Sequence, residues 1–445
     1  MLSVARRSAI PGRDLRLDFF RGLALWLVFL DHIPSNLVSW ITIRNYGLSD
    51  ASEIFIFISG YTASLVYGRA MQQHGFVIAA ARILRRCWQI YVAHLFLFVF
   101  YIAEITNAAS RFHEPLFAEE THVLAFLQHP DATIVQALLL KFKPVNLDVL
   151  PIYILFLLAF PAVLWLLRRN LALPLAASAV LYALTWMFQW NLPAYPAGEW
   201  FFNPFAWQLL FVFGAWCAAG GAEYLQALMR SRITAVLAVS YLLFGFLLAG
   251  SWHWHWMVRI EPDWLIRLVV AHPIDKTNLH ALRLLHFLAL ALLVLRVFPR
   301  HWPVLTSPAL RPAILCGRHS LETFCLGTFL AFAGHFAIVE IAHGIGAQIV
   351  ISSLGIALMV GLAGLIDWYQ ATEASARHAP PGVAPANPRR ERPARSVAMV
   401  LFHRIRKTAG ASSRSRTMNI RLGIPNYSAA LSRFAGRPFS SRDRR

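Results

Sequence analysis

"RGLALWLVFLDH", running from Arg21 to His32, decides what kind of fold this chain adopts. It sits in an apolar run that we place at residues 15–36, about the length needed to cross a hydrocarbon core of roughly 30 Å. Yet it opens on a permanent cation and closes on an acid and an imidazole. The rest of the chain has the same apolar character. Of its 445 residues 58% are hydrophobic and only 14% charged, with a mean hydropathy of +0.52. Such values lie far outside soluble averages and point to an integral membrane protein. The 15 Trp and 32 Phe suit a polytopic bundle whose aromatic side chains face lipid or gather at the two interfaces.

Apolar stretches near twenty residues predict ten helices, at about 15–36, 51–68, 77–104, 149–168, 171–190, 203–221, 233–250, 279–298, 319–341 and 347–368. No strand alternation is sustained, so the expected fold is an all-α helical bundle. Basic residues fix its orientation. The N-terminus and the even-numbered connections carry the arginines, among them Arg69, Arg168, Arg169, Arg230, Arg232, Arg296 and Arg300. The loops 190–203 and 341–347 have no Lys or Arg, and 37–50 has Arg44 alone. Both termini are therefore expected on the cytoplasmic side. The first apolar run is too long for a cleavable signal and is read as the first helix. This gives a cytoplasmic N-terminus at 1–14, a membrane domain at 15–370 and a tail at 371–445. From residue 371 onward 16 basic residues face 3 acidic ones, so the tail holds +13 of the formal +19. Rich in Pro, Ala and Arg, it is expected to be disordered and to lie near anionic lipid headgroups, at about 1 kcal/mol per basic residue. That placement argues against a nucleic-acid partner. The four cysteines, Cys87, Cys217, Cys316 and Cys325, lack metal-ligand or paired spacing and are read as buried thiols.

Eleven residues separate Arg21 from His32, three turns plus roughly 20°, so the two project from one helix face some 16 Å apart along the axis. Asp18, one turn before Arg21, joins that face. A charge at the bilayer centre costs about 2.5–3.5 kcal/mol on insertion scales, so such residues normally face a cavity and mark a pathway or reactive site. The structural alternative is a terminal Asp18–Arg21 pair snorkelling to headgroups, with His32 closing the helix before Pro34. On the same side as His32, Asp50 and Glu53 lie one turn apart. They are placed to orient the imidazole or raise its basicity or, for Asp50, to cap the second helix. Ser59 and Gly60 are small residues suited to close helix packing. Arg82, Arg85 and Arg86 open the third helix. They can grip phosphates or simply mark the positive inner side.

Seven stretches carry a family resemblance: "LDFFRGLALWLVFLDH", "SDASEIFIFISGY", "ARILRRCWQIYVAHLFLF", "NLDVLPIYILFLLAFP", "NPFAWQLLFVFGAW", "PIDKTNLHALRLLHFLALA" and "GRHSLETFCLGTFLAFAG". Together, from about Arg13 to Trp368, they resemble the OpgC family, which is related to the acyltransferase-3 membrane enzymes and is associated with succinylation of osmoregulated periplasmic glucans. The resemblance implies a multi-pass protein of the bacterial inner membrane with a cytoplasmic acyl-CoA donor, succinyl-CoA by preference, and a periplasmic glucan or other glycan as acceptor. It implies no permanently bound cofactor. It places the acyltransferase arginine and histidine on Arg21 and His32, and the paired arginines on Arg82 and Arg85. His32 is then a general base on a sugar hydroxyl or a transient acyl carrier, and the Arg82/Arg85/Arg86 cluster holds the coenzyme A phosphates.

Asp275 and Lys276 are expected just outside the eighth helix, with Arg283 and His286 one turn apart inside it; all four are further site candidates. "SWHWHWM", Ser251 to Met257, reads as an interfacial aromatic belt or a sugar-stacking platform, and its two histidines are a poor metal signal. The competing functional class is a transporter or flippase for a small anion or lipid-linked sugar. No internal repeat or matched pair of broken helices supports it.

Overall fold

The computed structural model describes residues 14–112, 119–253, 273–299 and 302–377. Its helices are α1 (Leu15–Asp31), α2 (Ala51–Phe112), α3 (Leu124–Gln128), α4 (Pro130–Leu138), α5 (Val149–Arg169), α6 (Ala172–Phe188), α7 (Pro204–Ala218), α8 (Gln226–Arg230), α9 (Arg232–His253), α10 (Ala281–Val297), α11 (Arg311–Arg318), α12 (Ser320–Phe336) and α13 (Ile345–Arg377). No strand is formed among the described residues beyond one isolated bridge, Pro193 to Glu199. Each of the ten expected apolar segments is occupied by helix. Five helices among the described residues are by themselves long and apolar enough to cross a membrane, or six if α7 and the bent segment after it form one span. The expected second and third helices are the two limbs of α2, broken at Gly75, whose φ of 82° is a left-handed conformation that favours glycine. Large apolar side chains such as Phe96, Val99 and Leu243 are exposed, as a bundle solvated by lipid requires.

The sequence explains the local architecture of α1. Asp14 caps it, its side chain accepting from the Arg16 backbone N–H at 3.1 Å. The helix stops at Asp31, short of the expected residue 36, because Pro34 disfavours helix in the residue before it and has no N–H to donate. Leu25, Phe29 and Leu30 are buried in the core. Gly22 lies against the Ala313 carbonyl of α11, and Gly317 of α11 against the Asp18 carbonyl of α1, with no room at either for a Cβ. The same reciprocal contact joins α2 to α7: Gly60 meets the Phe211 carbonyl, and Gly214 the Phe57 carbonyl. These backbone-to-backbone approaches fix α1 against α11 and the first limb of α2 against α7.

Helix α13 runs on to Arg377, into the segment assigned to the tail; the rest of the tail lies outside the described residues. The side chains of "SWHWHWM" also lie outside them. All four cysteines are free; Cys87, Cys217 and Cys316 are buried, while Cys325 is only half-buried.

Candidate functional site

At the end of the bundle where α1 finishes, here called the far face, the structure holds a cavity of about 1430 Å³. That exceeds the roughly 300–1000 Å³ typical of small-molecule pockets and leaves room for an oligosaccharide. His32 lines it, together with the chain leading into α2, the segment before α5, the 194–202 loop and the turn before α10. The lining mixes acids (Asp31, Asp50, Asp148) with bases (Arg44, Lys143, Lys276, Arg283) and aromatic rings (Tyr195, Phe201). Polar groups around aromatic surfaces are what a carbohydrate needs for hydrogen bonding and stacking.

One wall is an ionic cluster built from two distant parts of the chain. Asp50 and Glu53 form a reciprocal cap on α2: the Asp50 carboxylate accepts from the Ser52 N–H at 2.8 Å, and Glu53 accepts from the Asp50 N–H at 2.9 Å. Their remaining oxygens meet cations. Lys276 Nζ stands 2.6 Å from Asp50, and Arg283 Nη2 stands 3.0 Å from Asp50 and 2.7 Å from Glu53. Burial alone would raise the Asp50 carboxyl, but Lys276 and Arg283 outweigh it and hold it well below the usual carboxylate range.

Lys276 is held there by "DKTNL", Asp275 to Leu279. Asp275 accepts from the Thr277 and Asn278 N–H groups at 2.7 and 3.1 Å, an Asx turn. The carbonyls of the turn point outward and are taken up by neighbouring side chains. Trp207 Nε1 donates to the Lys276 and Thr277 carbonyls, Trp186 Nε1 to that of Asn278, and the Tyr182 hydroxyl to that of Leu279. Asn203 completes the clamp by donating to the Asn278 side chain at 2.7 Å. The turn is thus a rigid mount for Lys276.

His32 sits one residue beyond the end of α1. Its Nδ1 is buried with no hydrogen-bond partner among the described residues. Burial and then the Lys276 ammonium lower its pKa to about 4, against a smaller opposing effect of Asp50. Asp50 thus acts on His32 in the expected direction, but burial and the Lys276 ammonium outweigh it, and the net shift is downward.

The other candidates are distributed as follows. Arg21 is half-buried inside the bundle, donating to the Ile58 carbonyl at 3.1 Å and to the Thr62 hydroxyl at 2.7 Å. Asp18 approaches Arg318 of α11 at 3.9 Å. Arg82 and Arg85 are exposed; Arg86 is half-buried, donating to Gln89 at 3.3 Å. Of these arginines none lines the cavity. Arg283 does line it, while His286, one turn on, bonds Ser49 at 2.7 Å and packs between Gly47 and Gly245. The cavity thus gathers His32, Asp50, Lys276 and Arg283, with Glu53 and Asp275 supporting from behind. A second, small void of about 10 Å³ lies between Ser59 of α2 and Tyr153 of α5 and shares Val149 with the cavity wall. Tyr153 is within electrostatic reach of both Arg21 and Arg86.

Sequence reasoning passed over Lys143 and Asp148. Burial lowers Lys143 to about 8, with Asp148 partly opposing, and raises Asp148 to about 6, with Lys143 opposing. The signal was present in "KFKPVNLDVLP", Lys141 to Pro151, where charges stand directly before an apolar span. It was also blind to His335, whose ring contacts the Pro34 carbonyl at 3.3 Å and Glu120 at 3.2 Å, tying α12 to both segments.

In comparisons with known proteins, a family model described as "OpgC protein" matches residues 13–371. No curated protein and no solved structure matches the chain.

Proposed function

The chain belongs to the OpgC family, and from that premise we propose that it is a membrane O-acyltransferase of the bacterial inner membrane, moving a succinyl group from cytoplasmic acyl-CoA to hydroxyls of a periplasmic glucan or similar glycan. Membership implies glucan modification by acyl transfer; the donor, the acyl group and the side of the membrane are our reading. The observation that carries it is His32, with an unpartnered ring nitrogen, lining a polar cavity large enough for a glycan chain.

The chemistry follows from that placement. A sugar hydroxyl in the cavity loses its proton to the imidazole as its oxygen attacks the thioester carbonyl carbon. The carbon–sulfur bond then breaks, the coenzyme A sulfur leaves as thiolate, and the imidazolium returns the proton to it. Burial and the Lys276 ammonium lower the His32 pKa, which favours the neutral imidazole that can accept the proton. Lys276 and Arg283, fixed by Asp50 and Glu53, supply preorganised positive charge for the oxyanion that develops on the carbonyl. Arg82, Arg85 and Arg86 would hold the donor phosphates on the inner side. The pantetheine arm would thread between α2 and α5, where a narrow void lies at Ser59 and Tyr153. That void holds about one water at most, so the helices must part for the arm to enter.

Mass spectrometry of periplasmic glycans from cells with and without the gene tests this. The intact gene should add the acyl mass, and complementation with His32→Ala should not restore it although the protein inserts normally. Identical glycan spectra with and without the gene refute the proposal.

A further inference from the structure

The cavity wall contains a cation with no assigned role. Lys276 and Arg283 are each bonded to carboxylates, and Arg44 and Lys141 are exposed at the rim. Lys143 is different: it is half-buried, lines the cavity and has no ion pair among the described residues. Its ammonium rests 3.7 Å from the centre of the Trp200 ring and donates to the Leu140 carbonyl at 3.3 Å. An ammonium has three donors, so this seat leaves hydrogen-bonding capacity uncommitted.

The seat is itself built. Leu140 has a φ of 60°, unusual for a leucine, and the chain after it is fixed by the Lys141 and Phe142 N–H groups donating to the Gln136 carbonyl at 2.8 and 3.1 Å. Trp200 is locked by its N–H to the Leu192 carbonyl and by Asn191 donating to its own carbonyl, both at 2.9 Å. The indole Nε1 of this buried tryptophan has no acceptor among the described residues. Lys143 and Trp200 therefore line the cavity as a stacked pair, the ammonium with donors to spare and the buried indole N–H without an acceptor. Asp148 is within electrostatic reach but not bonded to the lysine. A ligand that completes this wall carries a negative charge.

We propose that Lys143, seated on Trp200, is the receptor for the free carboxylate of the transferred acyl group and so selects a dicarboxylic acyl donor over a neutral one of equal length. This rests on the acyl-transfer reading above and deepens it. Selectivity would then reside in the cavity beside His32, where the acyl end of the donor arrives.

The test uses the full-length protein in membrane vesicles, supplied with succinyl-CoA or with butyryl-CoA, a neutral donor with the same four carbons, and with neutral or anionic glucan acceptors. Lys143→Met should lower the ratio of succinyl to butyryl transfer by roughly tenfold to a hundredfold, the range of one hydrogen bond to a charged group. Lys143→Arg, which keeps the charge and the aromatic contact, should keep most of the preference. Because a ratio is read, reduced folding of a variant does not alter the result. A ratio unchanged by Lys143→Met, or changed only with the acceptor's charge, overturns the assignment to the acyl carboxylate. If the wild-type chain transfers neither group, the acyl-transfer reading falls instead.

Discussion

At the scale of single residues, two basic groups in the cavity titrate in different ranges, and this separates their roles. His32, at about 4, is neutral throughout the physiological range, so its protonation does not shape the rate there. Lys143, at about 8, is a cation below that pH and loses its charge above it. The apparent affinity for an anionic donor is thus expected to weaken as pH rises through 8, while that for a neutral donor of the same length stays level. Steady-state kinetics with both donors from pH 6 to pH 9 checks this; parallel profiles would contradict it. The Glu53 carboxylate is fully buried against Arg283. Its removal in Glu53→Ala strands part of a buried cation's compensation and should destabilise the protein by about 3–5 kcal/mol. Glu53→Gln keeps the oxygen that accepts from Arg283 and should cost less, and thermal unfolding in detergent ranks the two.

Among the elements, α1 and α11 approach each other as closely as two backbones can, through Gly22 and Gly317. Either glycine changed to alanine must push the helices apart, at about 1–3 kcal/mol for an overpacked contact, with a lower melting temperature in detergent. Gly361, on an open face of α13 with nothing near its Cβ position, is the control: alanine there should be neutral or stabilise the helix by up to about 1 kcal/mol. The packing role of Gly60 was legible in the sequence because a small residue inside an apolar span has few other uses. The Gly22–Gly317 contact was not, since its two halves stand almost three hundred residues apart and neither is unusual in its own segment. The turn at Asp275–Leu279 is intermediate. Its motif was conspicuous, but its purpose as a mount for Lys276 depends on Trp186, Tyr182, Asn203 and Trp207, and no local pattern ties these to it.

For the whole molecule, hydropathy located the ten long apolar helical segments, because segments solvated by lipid must each be apolar on their own, and it passed over the short helices α3, α4, α8 and α11. Helix ends were less legible: α1 stops five residues early and α13 runs late, both set by local chemistry that a hydropathy window averages away. The polar residues could be found but not paired. Asp50 and Glu53 stood out as acids at the start of an apolar span, while their partner Arg283 lies 230 residues beyond Glu53. The stripe inferred on α1 divides in the structure between the bundle interior, where Arg21 bonds α2, and the far-face cavity, which His32 lines. The central claim is that these two levels serve one reaction across the membrane. It is tested most directly with sealed vesicles carrying the protein in a single orientation, acyl-CoA on the side of the N-terminus and glucan on the other. We expect acyl groups to appear on the glucan with the wild-type chain and not with His32→Ala. Transfer that survives the substitution, or that proceeds only when donor and acceptor share one compartment, would contradict the account.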